Sequence, residues 1–128
     1  MTRDDLIGTW RLKEFRLTGA DGAVSHPWGA DIDGILIYAP DGYMAVTVRR
    51  PGGTMTYSGP YAIDGAAVVH RISLASEPGL VGTAQRREAE RAASRLVLSG
   101  RPSLYGGPGT TSHLIWERAA APSPSATG

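Results

Sequence analysis

The sequence predicts an all-β fold, an eight-stranded antiparallel up-and-down barrel, on three observations. Short segments rich in β-branched and aromatic residues recur along the 128 residues, as is typical of strands. Asp-Gly pairs at positions 21–22, 41–42 and 64–65 supply the positive φ angles of tight hairpin turns. A chain of this length fits one domain with one core. Sequential antiparallel strands close readily into a barrel that can enclose a ligand, and a flattened sandwich is the alternative.

The first strand is predicted over residues 8–18, where a two-residue period places Trp10 and Leu12 on one face. Further along, the alternation slips, because Phe15 and Leu17 fall on the opposite face. A β-bulge or an outer contact with a neighbouring element would explain this slip, and the sequence does not choose between them.

Seven further strands follow, each short and bounded by turn residues. They are predicted over residues 34–39, 43–48, 59–63, 67–74, 82–90, 95–99 and 112–118. Helix-forming residues over 84–95 make a short helix the rival to the strand at 82–90. The apolar residues there are all alanines, which give a helix no substantial face to bury, so a polar hairpin is favoured. The long connection over 19–33 carries Trp28, which either caps the mouth of the cavity or packs on the outer wall.

Composition, net charge and the two ends of the sequence limit the classes of protein to which the chain can belong. Residues 1–118 are expected to form the barrel and residues 119–128 a disordered tail, because the tail has no large apolar residue to anchor it. The amino terminus lacks the apolar segment of a secretory signal, which predicts a cytoplasmic location. No apolar run approaches the roughly 20 residues of a membrane helix. There are no cysteines, and a net charge of +1 does not favour nucleic acid as a partner.

A set of landmarks in fixed order runs through nearly the whole predicted barrel. They are residues 6–12 (LIGTWRL), Gly34, Leu36, Tyr38, residues 40–44 (PDGYM), residues 59–61 (GPY), residues 68–70 (VVH), Pro78, Gly82, Gln85, Arg87, Leu96, Leu98, Leu114, Trp116 and Arg118. In this order and spacing the chain resembles the bacterial lipocalin-like domain family. It departs from the usual pattern at residues 88–90 (EAE) and in the glycine-rich stretch 105–109.

The resemblance implies a lipocalin-like barrel with a ligand cavity, and some similar barrels in bacterial natural-product pathways act as cyclases. Fold alone does not assign an activity. The interior residues must therefore carry the functional argument.

Two ionisable side chains are the most informative candidates for the interior. His70 shares a predicted inward face with Val68, Ile72 and Leu74, and is either a core histidine satisfied by a hydrogen bond or a ligand-facing acid, base or donor. Glu14 follows Leu12 on the same face. It is either inside the barrel, where it needs a partner or a proton, or in solvent after a bulge.

The candidate site combines a few polar groups with apolar walls, as small-molecule sites require. Groups predicted to orient a substrate are His70, Tyr38, Tyr61 and Arg87. Residues predicted to bind the ligand are Trp10, Leu12, Glu14, Leu36, Tyr43, Thr47, Gln85, Leu114 and Trp116. Trp10 and Trp116 serve in this prediction as cavity walls, or else as core plugs at the closed end of the barrel.

Other charged and metal-binding patterns favour plainer interpretations. The basic residues Arg86, Arg87, Arg91 and Arg95 are interleaved with acidic ones, which indicates a solvated hairpin surface rather than a phosphate site. No histidine has carboxylates at metal-binding spacing, so no metal and no cofactor is expected. The expected partner is a hydrophobic small molecule, with no nucleic acid and no membrane, and the chain is expected to be a monomer or homodimer.

Two functions of different class remain open. One is a cofactor-free cyclase or isomerase of a polyketide-like pathway, in which apolar walls fold the substrate and polar groups orient a carbonyl. The alternative is a non-catalytic carrier or sensor of a hydrophobic ligand. A third, a dimerising scaffold, predicts a solid interior without a cavity.

Overall fold

The computed structural model describes residues 1–100 and 109–122. Within these residues the chain forms ten strands. They are β1 Gly8–Thr18, β2 Val24–Ser25, β3 Asp33–Tyr38, β4 Tyr43–Arg50, β5 Gly53–Asp64, β6 Ala67–Arg71, β7 Leu74–Ala75, β8 Ala84–Ala92, β9 Arg95–Gly100 and β10 Thr111–Arg118. Short 3-10 turns at Arg3–Asp5 and Pro78–Leu80 complete the elements of the described chain.

The eight longer strands close into an antiparallel barrel. They pair in the order β1, β3, β4, β5, β6, β8, β9 and β10, and β10 pairs back onto β1 with Leu12 opposite Trp116. The two short strands lie at the ends, where β2 pairs with the end of β1 and β7 pairs with β5. This arrangement confirms the predicted fold class and excludes the flattened sandwich.

A β-bulge in β1 explains the slip of the hydrophobic pattern. The register with β10 shifts between Leu12 and Glu14, so that Phe15 and Leu17 are buried like Leu12 before them. Glu14 stays 36% exposed, with its Oε2 atom 2.8 Å from His26 Nε2. Of the two alternatives for Glu14, the exposed position after a bulge is therefore the one observed, because the extra residue turns its side chain outward. Its predicted role in ligand binding is wrong.

The predicted strand at 82–90 is present as β8, which covers Ala84–Ala92 and pairs with β6 and β9. The strand predicted over 67–74 is broken. β6 ends at Arg71, Ile72 is buried, and Leu74 is 70% exposed in β7. The prediction that Leu74 shares the inward face of His70 is wrong, because β7 leaves β6 and pairs with an earlier part of β5.

One end of the barrel is closed by packed side chains. Trp10 is fully buried, and its indole Nε1 donates to the Leu6 carbonyl at 2.9 Å. The Arg118 and Arg91 guanidinium carbons lie 4.3 and 5.2 Å from the centroid of the Trp10 ring. Trp10 thus plugs this end of the barrel.

Candidate functional site

A cavity with a volume of about 130 Å³ lies in the half of the barrel away from Trp10. A dry apolar cavity of about 150 Å³ takes up benzene in a well-studied engineered protein, so this space accommodates about one aromatic ring. Most of its walls are apolar. They are formed by Phe15, Trp28, Leu36, Val46, Val48, Met55, Leu80, Leu98, Leu114 and Trp116.

Trp28 lies at the mouth of the cavity rather than on the outer wall. Its ring stacks on Phe15 with centroids 3.8 Å apart and an interplanar angle of 21°. The Arg50 guanidinium carbon lies 5.7 Å from the Trp28 centroid. Because Trp28 belongs to the connection between β2 and β3 and is only half-buried, it covers the opening without being part of the barrel wall.

A buried hydrogen-bond chain joins His70 to two tyrosines. Tyr38 Oη lies 2.6 Å from His70 Nε2, and Tyr57 Oη lies 2.8 Å from His70 Nδ1. Burial lowers the pKa of His70 to about 3, and the positive charge of Arg87 acts in the same direction. The imidazole is therefore neutral at physiological pH, with one ring nitrogen donating and the other accepting.

The direction of this chain follows from what each hydroxyl can reach. Tyr38 is buried and makes no other hydrogen bond within the described chain, so donation to His70 Nε2 is the arrangement that satisfies its O–H group. His70 Nδ1–H then donates to Tyr57 Oη, and the Tyr57 O–H proton is left to point at the cavity that Tyr57 lines. Burial raises the pKa of Tyr57 to about 12, so the hydroxyl remains a donor.

Arg87 brings a positive charge to the cavity wall from β8. Its Nη2 atom donates to Gln85 Oε1 at 2.6 Å, and its Nη1 atom donates to the Arg86 carbonyl at 3.0 Å. A Cβ atom added at Gly100 would lie 3.0 Å from Arg87 Nη1, so the absence of a side chain there makes room for the guanidinium. Across the described residues, no carboxylate lies within salt-bridge distance of Arg87.

Two further N–H groups at the cavity have no acceptor within the residues described. They are Trp116 Nε1 and Arg50 Nε, both buried. Arg50 is held by Glu77 at the mouth, with Arg50 Nη2 and Glu77 Oε1 3.4 Å apart. The polar part of the lining is therefore made mainly of donors.

The structure brings six of the predicted site residues together at the cavity. They are His70, Arg87, Leu36, Gln85, Leu114 and Trp116. Tyr38 lies behind His70 and reaches the cavity only through it. Leu12 is in the packed core with Trp10, so neither lines the space. Trp116, unlike Trp10, is a wall of the cavity.

Besides Glu14, three predicted residues do not present a polar group to the cavity. Tyr43 is 58% exposed, and Thr47 is exposed with its Oγ1 donating to Thr56 Oγ1 at 3.2 Å. The prediction that these two face the interior is wrong, because their β4 neighbours Met44 and Val46 occupy the inward positions. Tyr61 is buried, but its hydroxyl donates to the Ala39 carbonyl at 2.9 Å and is not directed at the cavity.

Three residues of the cavity lining were not predicted from the sequence: Arg50, Met55 and Tyr57. Tyr57 and Met55 lie in the first half of β5, which the predicted strand at 59–63 left out. The alternation of Met55 and Tyr57 with polar residues over 54–58 is the period-two signal that would have found both. Arg50 follows the inward residues Val46 and Val48 at the same period.

Two absences apply to the described part of the chain. Residues 1–100 and 109–122 hold no group of three histidine, cysteine, aspartate or glutamate side chains arranged to bind a metal. In the same ranges no helix has the length and apolar character needed to cross a membrane. The predicted disorder of the tail falls partly on residues 123–128, which lie outside the described residues.

Comparison with known proteins agrees with this geometry. The family model for a lipocalin-like domain matches residues 7–55 and 53–119. A lipocalin-like protein from Bacteroides uniformis has a similar structure, with a TM-score of 0.57 and 20% identity over 90% of this chain and 99% of that one. An uncharacterized protein from Bacteroides eggerthii is also similar, with a TM-score of 0.52 and 13% identity over 87% of this chain and 98% of that one.

A comparison with curated proteins found no match. The two structures share the fold at low identity and carry no activity over to this chain. The family model, in contrast, spans every strand of the barrel. The chain therefore belongs to the lipocalin-like domain family.

Proposed function

We propose that this protein binds an apolar small molecule in the cavity beneath Trp28. The observation that carries the proposal is the unfilled volume of about 130 Å³ inside the barrel, in the half away from Trp10. Protein interiors are normally packed to the density of organic crystals. An open, mostly apolar space with convergent polar groups is what a small-molecule site requires.

The size of the cavity sets the expected ligand and affinity. One aromatic ring of a ligand would fill the cavity, and a second ring of the same ligand would extend through the mouth and contact Trp28. Burial of about 200 Å² of apolar surface contributes roughly 5 kcal/mol at 25 cal/mol per Å², which corresponds to a dissociation constant on the order of 0.1–1 mM. This range suits isothermal titration calorimetry with a soluble two-ring probe.

The test is titration of the wild-type protein with 2-naphthalenemethanol, a neutral probe. Met55 lines the cavity, so Met55→Trp should fill part of it and weaken binding at least tenfold. Its neighbour Thr54 is exposed, and Thr54→Trp is the matched control that should bind like wild type. Circular dichroism confirms that both variants fold. Absence of binding to wild type, or equal binding to Met55→Trp, would refute a cavity site.

A second candidate, a cofactor-free cyclase or isomerase, has one observation in its favour. The Tyr57 hydroxyl, held by His70 at 2.8 Å, is placed to donate to a ligand carbonyl and to stabilise negative charge on its oxygen. The test follows the cyclisation of a linear tetraketide acid with and without protein. Faster cyclisation that is lost in Tyr57→Phe supports catalysis, whereas unchanged rate and product ratio leave only the binding function.

A further inference from the structure

We propose that the ligand of this cavity carries a carboxylate, held by Arg87 together with the neutral donors Tyr57 and Trp116. The proposal rests on the proposed function and narrows it from an apolar molecule to an apolar carboxylic acid. Three features of the cavity support it: its unpaired donors, its net charge, and the pairing of two of its acceptor side chains with arginines.

The first feature is the set of donors without acceptors. Trp116 is 1% exposed, and its Nε1–H group has no hydrogen-bond partner within the described chain, although the residue lines the cavity. The Tyr57 proton points the same way once His70 donates to Tyr57 Oη. Buried donors are almost always paired in folded proteins. An acceptor on the ligand would pair both groups.

The second feature is the charge of the lining. Among the described residues that form it, Arg50 and Arg87 are cationic and Glu77 is anionic. Glu77 pairs with Arg50 at 3.4 Å, and His70 is neutral because burial lowers its pKa to about 3. One positive charge, that of Arg87, is left over. A monoanionic ligand balances it, and burying a balanced pair costs far less than burying a lone charge.

The third feature is that one oxygen each of Gln85 and Glu77, two acceptor side chains of the lining, is engaged by an arginine. Gln85 Oε1 accepts from Arg87 at 2.6 Å, and Glu77 Oε1 faces Arg50. A cationic ligand such as an amine would compete with Arg50 for Glu77 and would meet a like charge at Arg87. The cavity therefore selects an acceptor, and a carboxylate matches the fork of a guanidinium best.

The test compares 2-naphthoate with 2-naphthalenemethanol, which share their rings and differ in the head group. Calorimetric titration at pH 7.5 and low salt should give 2-naphthoate a dissociation constant about 10- to 100-fold lower, the factor that a charge-assisted hydrogen bond contributes. Arg87→Met should remove this preference, so that the two probes bind the variant with dissociation constants within about threefold of each other. Arg86 lies on the same strand, is exposed and pairs with Asp64, so Arg86→Met is the matched control and should keep the preference.

A measurement on the wild-type protein covers the case in which Arg87→Met does not fold. The indole N–H resonance of Trp116, assigned with Trp116→Phe, should move downfield on saturation with 2-naphthoate and much less with the alcohol. If both probes bind with equal affinity, or the Trp116 resonance responds equally to both, the carboxylate inference is overturned and the binding function stands. If neither probe binds, the proposed function fails as well.

Discussion

His70 should make the stability of this protein fall as the pH is lowered from 8 to 5. An unfolded histidine titrates near pH 6.5, whereas burial, with a smaller contribution from the charge of Arg87, lowers the pKa of folded His70 to about 3. Between these values the unfolded chain binds a proton that the folded chain does not. The contribution of His70 to the free energy of unfolding is therefore fully present above pH 6.5 and is lost progressively as the pH falls toward 3. At pH 5 the loss from this one residue is about 2 kcal/mol relative to pH 8.

The assay is urea unfolding of wild type and His70→Gln at pH 8 and pH 5. The glutamine amide can still donate to one tyrosine and accept from the other, but it does not titrate. The variant should be less stable at pH 8 and should lose about 2 kcal/mol less than wild type on acidification. His113, whose pKa burial also lowers, is present in both proteins, so its contribution cancels in the difference. Equal losses in the two proteins would refute a buried, neutral His70.

His26→Gln provides the control for this experiment. His26 is exposed at the surface beside Glu14, so its replacement removes a histidine without disturbing the buried chain. The variant should retain the acid loss that His70 causes. Loss of the pH dependence in His26→Gln would place its origin outside the cavity.

Three further predictions concern packing and the mouth of the cavity. Gly59→Ala should lower the free energy of unfolding in urea by at least about 3 kcal/mol, because the new Cβ would lie 1.9 Å from the Arg71 carbonyl oxygen. The control Gly65→Ala, with φ +62° and open space around it, should cost about 1 kcal/mol, and similar costs for the two variants would contradict the packing argument. Glu77→Gln removes the anionic partner of Arg50 and should lower the dissociation constant of 2-naphthoate about threefold without changing that of 2-naphthalenemethanol. An equal change for both probes in calorimetry would exclude a charge effect. Trp28→Ala removes the aromatic ring that stacks on Phe15 and should raise the dissociation rate constant of the probe about 3- to 10-fold in stopped-flow fluorescence. An unchanged rate constant would show that Trp28 does not retain the ligand.

Local patterns predicted most of the strands and the turns between them. The Asp-Gly pairs at 41–42 and 64–65 place glycines with φ of +96° and +62° in the hairpin turns after β3 and β5. The stretch Ala84–Ala92, whose apolar residues are alanines, is a strand, as its lack of a helical apolar face indicated. These features depend on residues close together in the chain, so a period of two and a turn residue suffice to identify them.

Side-chain direction was harder to predict where one residue changes the register. The bulge between Leu12 and Glu14 and the break after Arg71 each move every following side chain to the other face or to another partner. The misplacement of Glu14 and Leu74 follows from these two points. Tyr43 and Thr47 face outward because Met44 and Val46 occupy the inward positions of β4, and a period of two cannot place both sets inside.

The sequence by itself determined the barrel, its closure and the presence of a polar residue in an apolar strand at His70. Only the tertiary structure decided that Tyr38 and Tyr57 hold the two nitrogens of His70, that Arg87 faces the cavity without a carboxylate partner in the described chain, and that Trp28 covers the mouth. The physical reason is separation along the chain. Strand periodicity depends on adjacent residues, whereas the hydrogen-bond donors of the cavity lie on β4, β5, β6, β8 and β10, which meet only when the sheet closes on itself.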